Sequence, residues 1–161
     1  MKIKPVILCG GAGTRLWKNF KSGQAKQFIN FGNWTLFGKT LERIKEPIFS
    51  YPIISTNFKY IKNVKKHLKL HKIQKYKIIL EPIKKNTAPA ILSAALLNDI
   101  PDHQPIIFLS SDHLIENVKK FNKTLKNNMK YLNDKNIFLF GIKPSFPSDQ
   151  YGYIISKKIK K

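Results

Sequence analysis

Ile3-Lys4-Pro5-Val6-Ile7-Leu8-Cys9, followed at once by Gly10-Gly11-Ala12-Gly13-Thr14-Arg15, is the stretch on which the fold turns. A short apolar run closed by a glycine cluster reads as a buried strand passing into a tight turn. Glycines placed directly after a strand let the backbone approach a phosphate and aim N–H groups at it, while Arg15 adds a fixed cation. A bare Gly-x-Gly would be an ordinary strand-to-helix turn, so the neighbouring residues must decide. Two familiar phosphate loops are excluded. The spacing of a Walker loop, with its Gly-Lys-Ser/Thr ending, is absent, and a dinucleotide fingerprint needs a third glycine where Leu16 stands.

Outward from this turn, apolar strand runs alternate with helical stretches. A helix is predicted over 35–45, with Leu36, Phe37, Thr40, Leu41 and Ile44 at helical spacing. Tyr51 to Ser55 reads as a strand. Thr56 or Asn57 then caps a basic helix reaching about His71, with Phe58, Ile61, Val64 and Leu68 as its apolar face. Lys77 to Glu81 is a third strand, stopped by Pro82. Thr87 is expected to cap an alanine-rich helix that tolerates Pro89 in its first turn. Pro105 to Leu109 is a fourth strand, leading into Ser110-Ser111-Asp112-His113. A helix over about 118–132 puts Phe121, Leu125, Met129 and Leu132 on one side. Asn136 to Ile142 reads as a fifth strand, and Tyr151 to Ser156 as the start of another. Short apolar strands separated by helices predict an α/β fold, a doubly wound, mostly parallel, Rossmann-like sheet. Ligands of such folds bind at the carboxyl ends of the strands, which is where the unusual residues fall.

Composition narrows the function classes. The chain has 161 residues and no internal repeat or linker, so a single domain over 1–161 is expected. No apolar run approaches the roughly 20 residues that span a bilayer, so no membrane partner is expected. The N-terminus lacks the apolar core of a secretory signal, and Cys9 alone cannot form an internal disulfide; a cytoplasmic protein is the expectation. The net charge of +21 invites a nucleic-acid reading, but among 30 basic residues only Arg15 and Arg43 are arginine. A dedicated nucleic-acid surface favours arginine for bidentate contacts, so no specific nucleic-acid partner is inferred.

Several separated motifs then occur in a fixed order. Gly10-Gly11-Ala12-Gly13-Thr14-Arg15-Leu16-Trp17 is similar to the signature of the sugar-1-phosphate nucleotidyltransferase family, and Leu16-Trp17 points to its mannose-1-phosphate guanylyltransferase branch. Lys26-Gln27-Phe28, Glu81-Pro82, Asn86-Thr87-Ala88-Pro89-Ala90, Asp112-His113, Phe140-Gly141-Ile142-Lys143-Pro144 and Tyr151-Gly152-Tyr153-Ile154 match that branch in order and across the chain. The resemblance implies a nucleotide-diphospho-sugar transferase fold. It implies transfer of a guanylyl group from GTP to mannose-1-phosphate, with Mg²⁺ as cofactor and GDP-mannose and pyrophosphate as products.

The same resemblance assigns roles, each with a bland competitor. Arg15 and Lys26 become the catalytic cations on the phosphates; alone, Lys26 would be one solvated lysine among many. Gly10, Gly11, Gly13, Thr14, Glu81, Asn86, Thr87 and Ala88 become nucleotide-binding, although Asn86-Thr87 is also simply a good helix start. Asp112 becomes a Mg²⁺ ligand, a role suited to a carboxylate at a strand end; a lone Asp is more often a loop or capping residue. Gly152 would admit the sugar close to the backbone, or merely mark a bulge. His113 is read as a structural neighbour. His67 and His71, four apart on a helix, have the spacing of a two-histidine metal face but no carboxylate partner, and are read as part of a solvated basic face. Cys9 is read as buried packing.

Some positions depart from the family pattern. Lys18 and Ala25 stand where prolines are usual, and Lys85 where arginine is usual, keeping charge but losing bidentate geometry. The pattern also continues beyond the Tyr-Gly-Tyr-Ile segment, whereas the sequence ends in a lysine-rich tail. The chain is therefore expected to be the N-terminal portion of a truncated catalytic domain, weak or inactive alone. The expected partners beyond the substrates are a second copy of the chain, by self-association, or a separately encoded C-terminal half. Two rivals are a uridylyl- or thymidylyltransferase on the same fold, and a non-catalytic lysine-rich nucleic-acid binder. Neither predicts this combination and order of motifs.

Overall fold

Four five-residue strands, β1 (Lys4–Leu8), β2 (Ile53–Asn57), β3 (Lys77–Glu81) and β4 (Ile106–Ser110), form one parallel sheet in the order β3-β2-β1-β4. The computed structural model describes residues 2–11, 25–83, 86–149 and 152–155. Leu8 lies opposite Ser55 on one side and Ser110 on the other, so three strands end level with one another.

Parallel strands need crossovers, which α1 (Leu36–Arg43), α2 (Ile61–Leu70) and α3 (Thr87–Ala95) supply, while α4 (Val118–Asn128) follows β4. The strands alternate sides residue by residue. Ile7, Ile54, Ile107 and Leu109 pack with Phe37 and Leu41 of α1, Val64 and Leu68 of α2 and Leu125 of α4. Val6, Ile53 and their neighbours Leu8, Ile79 and Phe108 face the other way, with Ala94 of α3. Each fully buried Leu, Ile or Phe contributes roughly 1.5–3 kcal/mol. Helices on both faces make the sheet doubly wound, as expected.

Local chemistry explains where the helices begin. Thr35 accepts a hydrogen bond from the Gly38 amide at 2.9 Å, and Asn117 accepts from Lys120 at 2.8 Å, both satisfying a first-turn N–H. Asn57 does the same for Lys59 at the start of a short 3-10 turn, Phe58–Tyr60, that leads into α2.

Several expectations are corrected. Asn136 to Ile142 is not a strand: Ile137 and Ile142 are about nine-tenths exposed, and β4 has only β1 beside it. Its apolar, β-branched composition favours a strand, but a strand forms only when another backbone pairs with it. Residues 152–155 likewise form no strand, while Tyr151 and Ser156 lie outside the described residues. Phe58 is exposed rather than part of the α2 face, because the 3-10 turn rotates it outward and puts Tyr60 into the core. Thr87 is the first helical residue of α3 and Asn86 its cap position, with no side-chain capping bond. α4 ends at Asn128 and tightens into a 3-10 turn over Met129–Tyr131.

Candidate functional site

The chain runs from β1 outward through β2 to β3, then returns to place β4 on the other side of β1. Reversal of strand order between β1 and β4 opens a crevice beyond their carboxyl ends, the position at which open α/β sheets bind ligands. Gly10 and Gly11 follow β1 at this edge, and Ser111 and Asp112 follow β4. The Ser111 amide donates to the Leu8 carbonyl at 3.2 Å, which holds the two ends together.

Lys26 enters from a 3-10 turn, Lys26–Phe28. Its Nζ lies 3.7 Å from Asp112 Oδ2, with both side chains partly exposed. The Ser110 hydroxyl donates to Asp112 Oδ1, so each carboxylate oxygen is engaged from a different side. The next residue, Gln27, is buried and donates from Nε2 to the Gly11 carbonyl at 2.9 Å. That bond ties the residue before the rest of the glycine loop to the residues that follow it. Phe28 anchors the turn beneath, edge-on to Phe37 at 5.5 Å between ring centres.

Glu81, the last residue of β3, reaches the same edge. Its Oε1 accepts from the buried Ser55 hydroxyl at 2.7 Å. A Cβ placed on Gly10 would stand 2.7 Å from Glu81 Oε2, so glycine at this position leaves room for the carboxylate. Thr56 donates to the Cys9 carbonyl at 3.1 Å, and Asn57 Nδ2 to the Glu81 carbonyl at 3.1 Å. The strand ends are thus cross-tied by side chains rather than by ladder bonds alone.

Of the residues predicted for the site, Gly10, Gly11, Lys26, Glu81 and Asp112 converge on this edge. Asn86, Thr87 and Ala88 open α3 after β3 and are exposed. Asn86 has φ +64° and ψ −162°, a conformation strained for any residue but glycine. Gly13, Thr14, Arg15, Leu16, Trp17, Lys18 and Lys85 lie outside the described residues. Gly152 is exposed with nothing within 4 Å of an added Cβ, and no contact joins it to the crevice. Ala25, where proline was expected, already has the proline-like φ of −67°.

Sequence reasoning missed Ser55 and the linking role of Gln27. A polar side chain closing an apolar strand was the available signal for the first, and the glutamine beside Lys26 for the second. It also misread His67. That ring is buried among aromatics, 5.4 Å from Phe28 and 5.6 Å from Phe37 between ring centres, instead of facing solvent. Its Nδ1–H donates to the Asn63 carbonyl at 2.8 Å, and burial pulls its pKa below the ordinary histidine value. Cys9 is fully buried as expected, and burial pushes its thiol up to about 12.

Among the described residues no group of three or more His, Cys, Asp or Glu could hold a metal on its own. Asp112 still suits a hard cation whose other ligands are phosphate oxygens and water, since Mg²⁺ commonly takes only one or two protein carboxylates. Nor is any helix of the described residues long and apolar enough to cross a membrane.

The family described as Nucleotidyl transferase matches residues 4–160. The mannose-1-phosphate guanylyltransferase of Escherichia coli is 37% identical over 160 residues, covering 96% of this chain and 34% of that protein. That of Salmonella montevideo is 35% identical over 153 residues, covering 94% and 32%. The chain therefore spans about a third of the length of these curated relatives. A solved structure described as mannose-6-phosphate isomerase from Helicobacter pylori superposes with a TM-score of 0.60 at 25% identity, covering 81% of this chain and 46% of that one. A glucose-1-phosphate thymidylyltransferase structure from Bacillus anthracis gives 0.61 at 16% identity, covering 79% and 51%, a likeness of fold. With the family matched from the start of β1 almost to the last residue, the chain belongs to the nucleotidyl transferase family.

Proposed function

We propose that the β1/β4 crevice binds GTP as the nucleotide site of a mannose-1-phosphate guanylyltransferase. The observation that carries the reading is the meeting of Lys26 and Asp112 across the switch point, beside Gly10 and Gly11. An ammonium and a carboxylate at a glycine-lined edge can serve a polyphosphate together, the first directly and the second through Mg²⁺. When bound, Mg²⁺ would neutralise charge on the phosphates, and Asp112 is the residue that would hold it.

In the implied reaction a phosphate oxygen of mannose-1-phosphate attacks the α-phosphorus of GTP, and pyrophosphate leaves. The attacking group is already anionic, so no general base is required. What the chain's residues supply is position and charge. Gly10 and Gly11 let the backbone approach the phosphates, and Lys26 exchanges its carboxylate partner for phosphate oxygens. Arg15 adds a second cation from the same loop, and Asn86 to Ala88 border the nucleotide. The relatives' greater length supports assigning most of the sugar pocket to residues beyond this chain, with Gly152 at its beginning.

The test is direct titration of the purified chain with GTP, with and without Mg²⁺, followed by addition of mannose-1-phosphate. Saturable GTP binding that Lys26→Met weakens is expected, with little GDP-mannose formed. Absence of GTP binding overturns the site. Rapid GDP-mannose formation overturns the division of labour between nucleotide and sugar halves.

A further inference from the structure

We infer that Ser110 is a positioning residue that sets the choice of divalent cation: it occupies one oxygen of Asp112 and leaves the carboxylate a single oxygen to offer. The inference rests on the reading of Asp112 as the residue that holds Mg²⁺. It goes beyond that reading by naming what selects Mg²⁺ over a larger cation.

The placement follows from the sheet. Ser110 closes β4 in register with Leu8 of β1, and the amide of the next residue, Ser111, donates to the Leu8 carbonyl at 3.2 Å. The Ser110 hydroxyl is therefore carried on backbone that the neighbouring strand holds. It donates to Asp112 Oδ1, two residues further on. Oδ2 is left to Lys26, whose Nζ stands 3.7 Å away. Among the described residues no backbone N–H donates to the Asp112 side chain, so the carboxylate is not held as a turn or capping group.

The two partners respond differently to a nucleotide. Lys26 is an ammonium, and a polyphosphate draws it away from Oδ2. The Ser110 hydroxyl is neutral, and its proton is repelled by a cation, so it stays on the oxygen remote from the metal. Arrival of the nucleotide thus releases one carboxylate oxygen and leaves the other engaged.

Cations differ in what they make of such a ligand. Mg²⁺ is small, demands near-ideal octahedral geometry at about 2.0–2.1 Å and keeps several waters, so a carboxylate offering one oxygen suits it. Ca²⁺ takes about 6–8 oxygens at longer range and accepts both oxygens of one carboxylate. A carboxylate pinned by Ser110 denies Ca²⁺ that second oxygen, and an unpinned one supplies it. Partners that orient a ligating group commonly change metal affinity by about 10- to 100-fold.

The experiment measures GTP affinity in Mg²⁺, in Ca²⁺ and in EDTA for the wild-type chain, Ser110→Ala, Ser110→Thr, Asp112→Asn and the Ser110→Ala/Asp112→Asn pair. Its readout is the ratio of affinity in Mg²⁺ to affinity in Ca²⁺, which a general weakening of the site does not move. Ser110→Ala should lower the ratio by about tenfold, and Ser110→Thr, which keeps the hydroxyl, should restore it. In the Asp112→Asn background Ser110→Ala should change nothing, because the oxygen it acts through is gone. A ratio unchanged in Ser110→Ala, not restored in Ser110→Thr, or still shifted in the Asp112→Asn background overturns the inference and leaves the nucleotide site standing. A wild type that binds GTP no better in Mg²⁺ than in EDTA overturns the role of Asp112 beneath it, and one that binds GTP in no buffer overturns the nucleotide reading itself.

Discussion

Lys26 Nζ stands 3.7 Å from Asp112 Oδ2, so the turn that follows the glycine loop is held to the end of β4 by one exchangeable ion pair. Both side chains are partly exposed, and pairs of this kind contribute little to stability. The pair is better understood as a resting arrangement of two groups that take new partners when a nucleotide arrives. Removing either partner should therefore change binding far more than folding.

Lys26→Met should lower GTP affinity about ten- to a hundredfold, the range expected for a lost charge-assisted contact. Asp112→Asn should do something less intuitive. Without divalent metal it should raise GTP affinity, since it removes a carboxylate that competes with phosphate for Lys26. With Mg²⁺ it should lower affinity, since the ligand is gone. Isothermal titration in EDTA and in Mg²⁺ reads both signs, and an Asp112→Asn variant indistinguishable from wild type in both buffers would sink the exchange.

Gln27 offers a second separation of binding from stability. Its amide spans from the turn back to the Gly11 carbonyl at 2.9 Å. Gly11 is exposed, so its carbonyl can turn to water when the glutamine is lost. Gln27→Leu keeps the buried volume and should cost no more than about 1 kcal/mol, within the usual net value of one hydrogen bond. The glycine loop nevertheless loses the tie between its two ends, and GTP affinity should fall severalfold. Urea denaturation alongside GTP titration checks the contrast; a large stability loss with unchanged affinity would make Gln27 a packing residue only.

The parallel sheet was legible because its signal is local. Each strand is a short apolar run bounded by polar residues or Pro, and β1 and β3 were placed to within a residue or so. Asn136 to Ile142 carried the same signal and failed, because pairing is a long-range event that composition does not encode. The site was legible as a set of motifs at strand ends, yet the motifs gave no hint that Ser55 grips Glu81. That contact depends on the register of β2 beside β3, with Ser55 opposite Ile79 and the carboxylate two residues further on. His67 failed for a related reason. Helical spacing showed that it shares a face with His71, but the aromatic rings that bury it come from Phe28 and Phe37, far away in sequence.

Burial of His67 has a consequence for pH. Its folded-state pKa is lowered below 6.5, first by desolvation and then by Lys66, against the opposing bond to the Asn63 carbonyl. His71 is lowered as well, again mainly by desolvation. The folded state thus binds fewer protons than the unfolded chain at mildly acidic pH. Stability from this source is complete above the unfolded value of 6.5 and is lost as pH falls toward the depressed folded values. Thermal midpoints should drop between about pH 7 and pH 5. His67→Gln can keep a donor for Asn63 and should flatten that slope; an unchanged slope would show that other groups carry the acid sensitivity.

Asn86 carries the remaining prediction. Its φ of +64° with ψ of −162° falls where almost only glycine is comfortable, and such conformations cost about 1–3 kcal/mol. Its side chain accepts no capping bond in return, so the strain is not offset at the start of α3. Resemblance assigns this residue to the nucleotide, and a strained backbone at a binding edge is consistent with a side chain held ready for a ligand. Asn86→Gly should therefore stabilise the free chain by about 1 kcal/mol, the strain relieved less the entropy of an added glycine. Asn86→Ala keeps the strain without the side chain, so its stability should stay at or below that of wild type. Both should bind GTP more weakly, because both lose the amide. Chemical denaturation ranks the three proteins for stability and titration ranks them for affinity. If glycine proves less stable than asparagine, the strain is not real. If it is more stable and binds GTP equally well, the strain is real but serves the turn into α3 rather than the nucleotide.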